Sequence, residues 1–436
     1  MLHKKNNKGA AFISLVLILC YFTNNIYGAG NVQDKIENKI EFVSTSDIKS
    51  VKFHKLGWEL SEVVMEHNTN EKLVISFDDV SESPKSYSYT IEHCDSEWIP
   101  SSLFYNDYID GFEINEIRDY SYSSGTIFDY MHCRLEIPND DIKLKISGNY
   151  IIKIFNTYEP EKILIQRKFI VYETLVKIDA NIRQPSAGID RQSGQQVDLK
   201  INTGNIRVND PFSDIKTVVC QNYLFQGCKK NVKPTYVRGN ELDYSHPNAL
   251  IFDGGNEFRI FDLKNIRYVS QGIKSIDFHG GVFHAQLTPD KSRRRQGYTS
   301  QSDLDGKFVV SLESSTQSHI EADYVWVYFT LNSPMQLDQG KNAYIYGELT
   351  GWQLSPDNRM EYNPERKTYE KRLLLKQGVY NYRYVLANEQ TGNVDVSHFE
   401  GSFFETKNTY VILVYYKPIG ARYERIVGYE RLSTIK

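Results

Sequence analysis

The chain has 436 residues, of which 40% are hydrophobic and 24% charged, which excludes a disordered or collagenous protein and allows roughly three ordinary domains. A formal net charge of −4 removes the basic footprint that nucleic-acid binding needs. The 31 tyrosines supply most of a high aromatic content, and tyrosine suits half-buried pleated surfaces with its ring packed and its hydroxyl wet.

At the N-terminus, Lys4, Lys5 and Lys8 form a basic head before the apolar run 10–22 (AAFISLVLILCYF), and the small residues Gly28 and Ala29 follow. This is the layout of a secretory signal peptide over residues 1–28, cut after Gly28. The run of about 13 residues is shorter than the roughly 20 that span a bilayer as a helix. Cys20 follows Leu19 within the apolar run, not a small residue, which argues against a lipid anchor. No later stretch is apolar enough to span a membrane, so the mature chain is expected to be exported and soluble.

Strand-like segments then follow one another without a convincing long helix. Residues 73–77 (LVISF), 87–93 (YSYTIEH), 150–155 (YIIKIF) and 168–173 (KFIVYE) are short, β-rich and flanked by turn formers such as Pro138-Asn139 and Gly148-Asn149. They predict a first β-sandwich over 40–174. Residues 176–182, 196–201 (QVDLKI), 217–222 and 308–312 predict a second β-rich domain over 175–320. A third block, 321–436, opens with 324–331 (YVWVYFTL), apolar enough to be buried on both faces, and closes with 409–416 (TYVILVYY). The expected class is all-β, a tandem array of immunoglobulin-like or early-set-like β-sandwiches.

Catalytic and metal-binding patterns are missing from the sequence. His93, His132, His279, His284 and His398 form no HExxH motif and no i, i+4 pair. Asp78-Asp79 and Asp140-Asp141 are adjacent pairs whose members face opposite sides of a strand, and turn or edge positions account for them. Gly254-Gly255-Asn256 precedes a strand-like segment, not a helix, and reads as a tight turn. The basic triplet Arg293–Arg295, with Lys291 nearby, reads as a solvated loop. Four cysteines remain after cleavage. They permit two disulfides, most simply Cys94–Cys133 and Cys220–Cys228, or else free buried thiols; none has CxxC spacing. The expectation is no catalytic site, no metal and no cofactor.

The sharpest local pattern is 344–352 (YIYGELTGW), then Met360, then 369–375 (YEKRLLL) and 378–386 (GVYNYRYVL). About 45 residues here resemble the glycogen-binding, early-set β-sandwich family. That resemblance gives a carbohydrate-binding alternative resting on Tyr344, Tyr346, Trp352 and Arg383, where Trp352 matches the family's tryptophan and Arg383 stands where a sugar-contacting lysine is found. A second stacking tryptophan has no counterpart after Leu386, and packing is the preferred role for these rings.

A wider resemblance is carried by 89–98 (YTIEHCDSEW), 103–111 (LFYNDYIDG), 148–155 (GNYIIKIF), 254–261 (GGNEFRIF), 303–308 (DLDGKF) and 401–425 (GSFFETKNTYVILVYYKPIGARYER). These segments, in order from about Phe42 to Tyr429, are similar to the plug protein family of the type IX secretion system of Bacteroidota. The resemblance implies a non-catalytic periplasmic protein, peripheral to the outer membrane. Its implied partner is the large outer-membrane β-barrel translocon, whose periplasmic opening it closes; nucleic acid is not a partner.

Overall fold

A computed structural model of the chain describes residues 41–436, apart from 84, 187–190, 205, 223–224, 226, 246–249, 389–390, 392 and 435–436. The signal-peptide segment and Cys20 lie outside the described residues. The described chain is almost entirely β, and its helices are single turns such as Tyr105–Tyr108 and Pro211–Asp214.

Four sheets stack face to face. Sheet 1 holds Ile48–Lys55, Leu73–Asp79, Met131–Ile137 and Asp119–Tyr122. Sheet 2 is centred on Tyr87–Cys94, Gly148–Asn156 and Ile163–Tyr172. Alternation decides the faces: Met131, Cys133, Leu135 and Ile137 enter the core, and His132, Arg134 and Glu136 turn outward. Ile75, Phe77, Tyr89, Tyr150, Ile152 and Phe169 fill the space between the two sheets.

Sheet 2 is also covered on its other side. Ile151 and Ile170 pack against Val411, Leu413, Tyr415 and Ile426 of sheet 3, which comprises Lys229–Val232, Ile215–Gln221, Thr409–Tyr416 and Arg425–Ser433. The opposite residues of Thr409–Tyr416, namely Tyr410, Ile412, Val414 and Tyr416, pack against Val197, Leu199, Ile201 and Leu242 of sheet 4, which comprises Lys177–Arg183, Gly194–Asn202, Glu241–Asp243, Tyr236–Arg238 and Ile251–Asp253. Thr409–Tyr416 is therefore buried at every position.

This pairing moves a boundary. A division near 320 was expected, but Thr409–Tyr416 pairs with Ile215–Gln221, so the second sandwich combines 177–253 with 409–433. A strand apolar on both sides needs a layer on each side, and only the interior of the stack offers that. Residues 259–400 form a separate sandwich inserted between these halves. One of its sheets contains Tyr324–Asn332 and Thr368–Lys376, and the other is built around Gly378–Asn388. The early-set-like block thus recruits Arg259–Asp262 and Phe308–Val310 from before residue 320.

One further expectation is corrected, and the cysteine alternatives divide between the two pairs. Tyr324–Asn332 buries Val325, Val327, Phe329 and Leu331 in the inserted core, but Trp326, Tyr328 and Thr330 are only half-buried on the outer face. Cys220 and Cys228 form a disulfide, whereas Cys94 and Cys133 are free buried thiols. Cys94 belongs to sheet 2 and faces sheet 3, while Cys133 belongs to sheet 1 and faces the first core, so the two cannot meet. Burial pushes the Cys94 thiol up to about 12, well outside the reactive range.

The insertion point explains Gly254-Gly255. The outgoing and returning chains cross here, and a Cβ on Gly254 would lie 2.0 Å from the Phe403 carbonyl oxygen. Phe403 N donates to Gly255 O at 2.8 Å, and Asn408 Nδ2 donates to Gly254 O at 2.8 Å. The inserted sandwich meets the first one through three ion pairs with little exposure: Lys52–Glu348 (2.5 Å) and Lys376–Asp78 (2.6 Å) on sheet 1, and Lys307–Glu62 (3.1 Å) on the loop after Ile48–Lys55.

Candidate interaction surface

Several of the exposed apolar side chains lie on four loops at one end of the stacked sheets, and others are spread over the rest of the surface. Each is presented by a turn that local sequence dictates. Asp95 accepts hydrogen bonds from the backbone N–H groups of Glu97 and Ile99, both at 2.9 Å, and displays Ile99. Asp107 accepts from Phe104 N at 3.1 Å at the start of the single helical turn Tyr105–Tyr108, and displays Phe104. Asp210 caps Phe212 N at 3.0 Å, with Pro211 at the first helical position. Ile419 sits between Pro418 and Gly420, whose φ of +86° glycine adopts without strain.

The loops are tied to one another. Arg422 pairs with Asp107 at 3.0 Å, Glu424 accepts from Ser96 N at 2.7 Å, and Lys417 N donates to Asp214 O at 2.9 Å. Tyr105 Oη donates to Phe112 O at 2.8 Å and fixes the neighbouring loop that carries Phe112 and Ile114. Phe104, Phe112 and Ile419 are 78%, 79% and 86% exposed, values far from those of a side chain that packs within its own fold. Three ion pairs lie among them: Asp107 with Arg422, Glu97 with Lys230, Glu424 with Lys216. Covering this end would leave those three pairs intact.

The tyrosines are mostly elsewhere. Tyr89, Tyr150, Tyr244, Tyr324, Tyr380, Tyr384 and Tyr410 are among the largest fully buried side chains, and core polar groups satisfy their hydroxyls, as Asp290 does for Tyr382 and Tyr384. Phenylalanine and isoleucine, which composition did not single out, carry the exposed apolar end. Its nearest sequence signal is the recurrence of an Asp two to four residues from a bulky apolar residue in a turn.

The residues of the sugar-binding alternative pack inward. Trp352 and Tyr344 are buried, and Trp352 meets Phe258 and Tyr346 edge to face at 6.1 and 5.4 Å. The Arg383 guanidinium lies over Phe258 at 3.4 Å. The four residues thus offer no open aromatic platform. Arg293 of the basic triplet is likewise structural. It joins Arg259 on the buried Glu400 carboxylate, whose pKa stays below the usual range because these cations and hydrogen bonds outweigh its large desolvation. Arg294 and Arg295 remain exposed, as expected of a solvated loop.

Asp78-Asp79 also differs from a turn or edge pair. Both are buried on Leu73–Asp79 and face opposite sides. Asp79 accepts from Tyr87 Oη at 2.7 Å inside the first sandwich. Asp78 faces the inserted one and holds Lys376 (2.6 Å), Tyr324 Oη (2.7 Å) and His132 Nδ1 (2.6 Å). An Asp holding a histidine Nδ1 is also a feature of hydrolytic triads. Here the carboxylate is taken up by a lysine, and among the described residues no hydroxyl bonds to the other nitrogen of His132. Among the described residues no group of His, Cys, Asp and Glu is arranged to hold a metal ion, and no helix is long and apolar enough to cross a membrane.

The family model for the type 9 secretion system plug protein 1st domain matches residues 48–173. No curated protein matches the chain. The crystal structure of a hypothetical protein from Parabacteroides merdae superposes with a TM-score of 0.87 at 33% identity, covering 91% of this chain and 99% of that one. A DNA glycosylase of Pseudomonas fluorescens aligns over 28% of the chain with a TM-score of 0.17, too low to bear on fold or function. With sheets 1 and 2 matching the first plug domain and a near-full-length relative sharing the remaining architecture, the chain belongs to the type 9 secretion system plug protein family.

Proposed function

We propose that this protein closes the periplasmic opening of the outer-membrane β-barrel translocon of the type IX secretion system, docking through its exposed apolar end and carrying out no chemistry. Family membership assigns a plug role in that system. The observation that carries the finer reading is the set of exposed tips Ile99, Phe104, Phe112, Ile114, Phe212 and Ile419, contributed by both the first and the second sandwich. Buried against a partner, each phenylalanine stabilises the complex by about 1.5–3 kcal/mol. Sealing a wide pore needs an interface well beyond the standard ~1,600 Å², with the tips as its apolar centre and the paired charges as its rim. The plug must also leave when cargo passes, so its affinity is moderate.

The test is co-purification of the tagged protein with the translocon from solubilised outer membranes, alongside outer-membrane permeability in a deletion strain. Near-stoichiometric recovery of one very large β-barrel, and a leaky outer membrane on deletion, are expected. Unchanged permeability with an intact translocon, or no recovered barrel, would count decisively against the reading.

A further inference from the structure

Three histidines far apart in sequence line one cleft between sheet 1 and the inserted sandwich. The cleft has a volume of about 690 Å³. Its floor is the outward face of sheet 1, where cross-strand pairing sets Lys52 beside Ser76, Ser76 beside Arg134, and Asp78 beside His132. His54 lies further along the same face, and the wall is the inserted sandwich's segment 309–319, which brings Ser311, Thr316 and His319. The His132 and His319 rings are 5.3 Å apart, edge to face.

We propose that this cleft binds a phosphate group. The donors are of the right kind. His132 is held through Nδ1 by Asp78 and His54 through Nδ1 by the Lys55 carbonyl at 2.8 Å, which leaves Nε2 of each ring for a ligand. No protein group among the described residues is bonded to the hydroxyls of Ser76, Ser311 or Thr316. The metal alternative fails, because these histidines are not set around a common ion. A sugar alternative is disfavoured too, since no aromatic ring lines the cleft other than the imidazoles.

Lys52, Arg134 and Lys376 line the cleft, each already paired: Lys52 with Glu348, Arg134 with Asp119 and Glu136, Lys376 with Asp78. Glu59, at the rim, is the further carboxylate of the lining. Burial lowers the pKa of His54, with Lys52 adding to the effect against the Lys55 carbonyl, Glu59 and Glu348. Burial likewise lowers that of His319, reinforced by His132, Lys376 and Arg134 and opposed by Asp78. An oxyanion reverses both shifts, so binding takes up protons and tightens as pH falls.

Isothermal titration of the full mature chain with inorganic phosphate, and with sulfate, whose charge is constant, tests this at about pH 5.5 and pH 8. Saturable binding is expected, with sulfate about tenfold tighter at the lower pH. The double variant His54→Asn/His319→Asn spares the Asp78–Lys376 pair and should weaken binding at least about tenfold with an unchanged melting temperature. Ser76→Ala, a smaller change, should weaken it severalfold. Absence of heat at both pH values, or binding undiminished in the variants, overturns the proposal. Sedimentation with phosphatidylcholine vesicles containing phosphatidic acid then separates the sources. Co-sedimentation lost in the double variant identifies a lipid headgroup, and phosphate binding without it identifies a soluble phosphorylated molecule.

Discussion

Two of the interfaces between the sandwiches differ in what fills their centres. Between sheets 2 and 3 the centre of the contact is apolar, Ile151 and Ile170 against Val411, Leu413, Tyr415 and Ile426, with ion pairs such as Arg422–Asp107 at its edge. Between the first sandwich and the inserted one the contact is carried by Lys52–Glu348, Lys307–Glu62 and Lys376–Asp78, with Tyr130 Oη donating to Ala322 O at 2.8 Å and Asp323 accepting from Ile127 N at 2.8 Å. Apolar burial is strong but indifferent to small slips. A buried ion pair adds little net stability, yet it tolerates no displacement of either partner. The first interface thus supplies cohesion, and the second sets the position of the inserted sandwich.

The comparison is broken most directly at Lys376. Lys376→Ala leaves Asp78 charged and buried without its cation, and a loss of about 3–5 kcal/mol in urea unfolding is expected. The double variant Asp78→Leu/Lys376→Met removes both charges, and recovery of most of that loss would show that the pair specifies position more than it stabilises. On the apolar side, Leu413→Ala removes buried methyl groups and opens a cavity, with an expected cost of about 2–5 kcal/mol that no second substitution across the interface restores.

Acid sharpens the contrast within the first sandwich. His93 is buried among Tyr108, Tyr150 and Tyr423, and burial lowers its pKa to about 4. A histidine held neutral in the folded state but free to charge when unfolded contributes fully above about pH 6.5, and the contribution falls as pH drops toward 4. The loss expected across that window is about 3 kcal/mol, and His93→Gln should flatten it in urea midpoints measured against pH. Opening the Cys220–Cys228 loop with paired serines is expected to cost about 2 kcal/mol by loop entropy. The smallest effect on folding belongs to the apolar end. Phe104→Asp/Phe112→Asp/Ile419→Asp should change stability by about 0.5 kcal/mol or less while abolishing co-purification with the translocon.

Legibility followed the range of the interactions. Short alternating strands such as Met131–Ile137 and the continuous apolar run of Thr409–Tyr416 declare their burial through their own residues. What covers them is not local. Nothing near residue 410 says that the partner strand begins at residue 215, so the boundary expected near 320 gave way to an insertion. Lys376, at the end of an apolar strand, carries no mark that its partner is Asp78, 298 residues earlier. His54, His132 and His319 were beyond reach for the same reason, whereas the Asp-capped turns that display Ile99, Phe104 and Phe212 were present in local sequence without a reason to single them out.

By itself the sequence determined the all-β class, the family and the lack of a local catalytic motif, because alternation, turn chemistry and colinear motifs are written over a few residues at a time. Tertiary structure alone decided that the last two strands return to the second sandwich, that Trp352 and Arg383 face inward, and that charged groups lock the inserted sandwich in place. Each of these depends on which surfaces meet after the chain has closed long loops, and a pairing across hundreds of residues leaves no pattern in either segment alone.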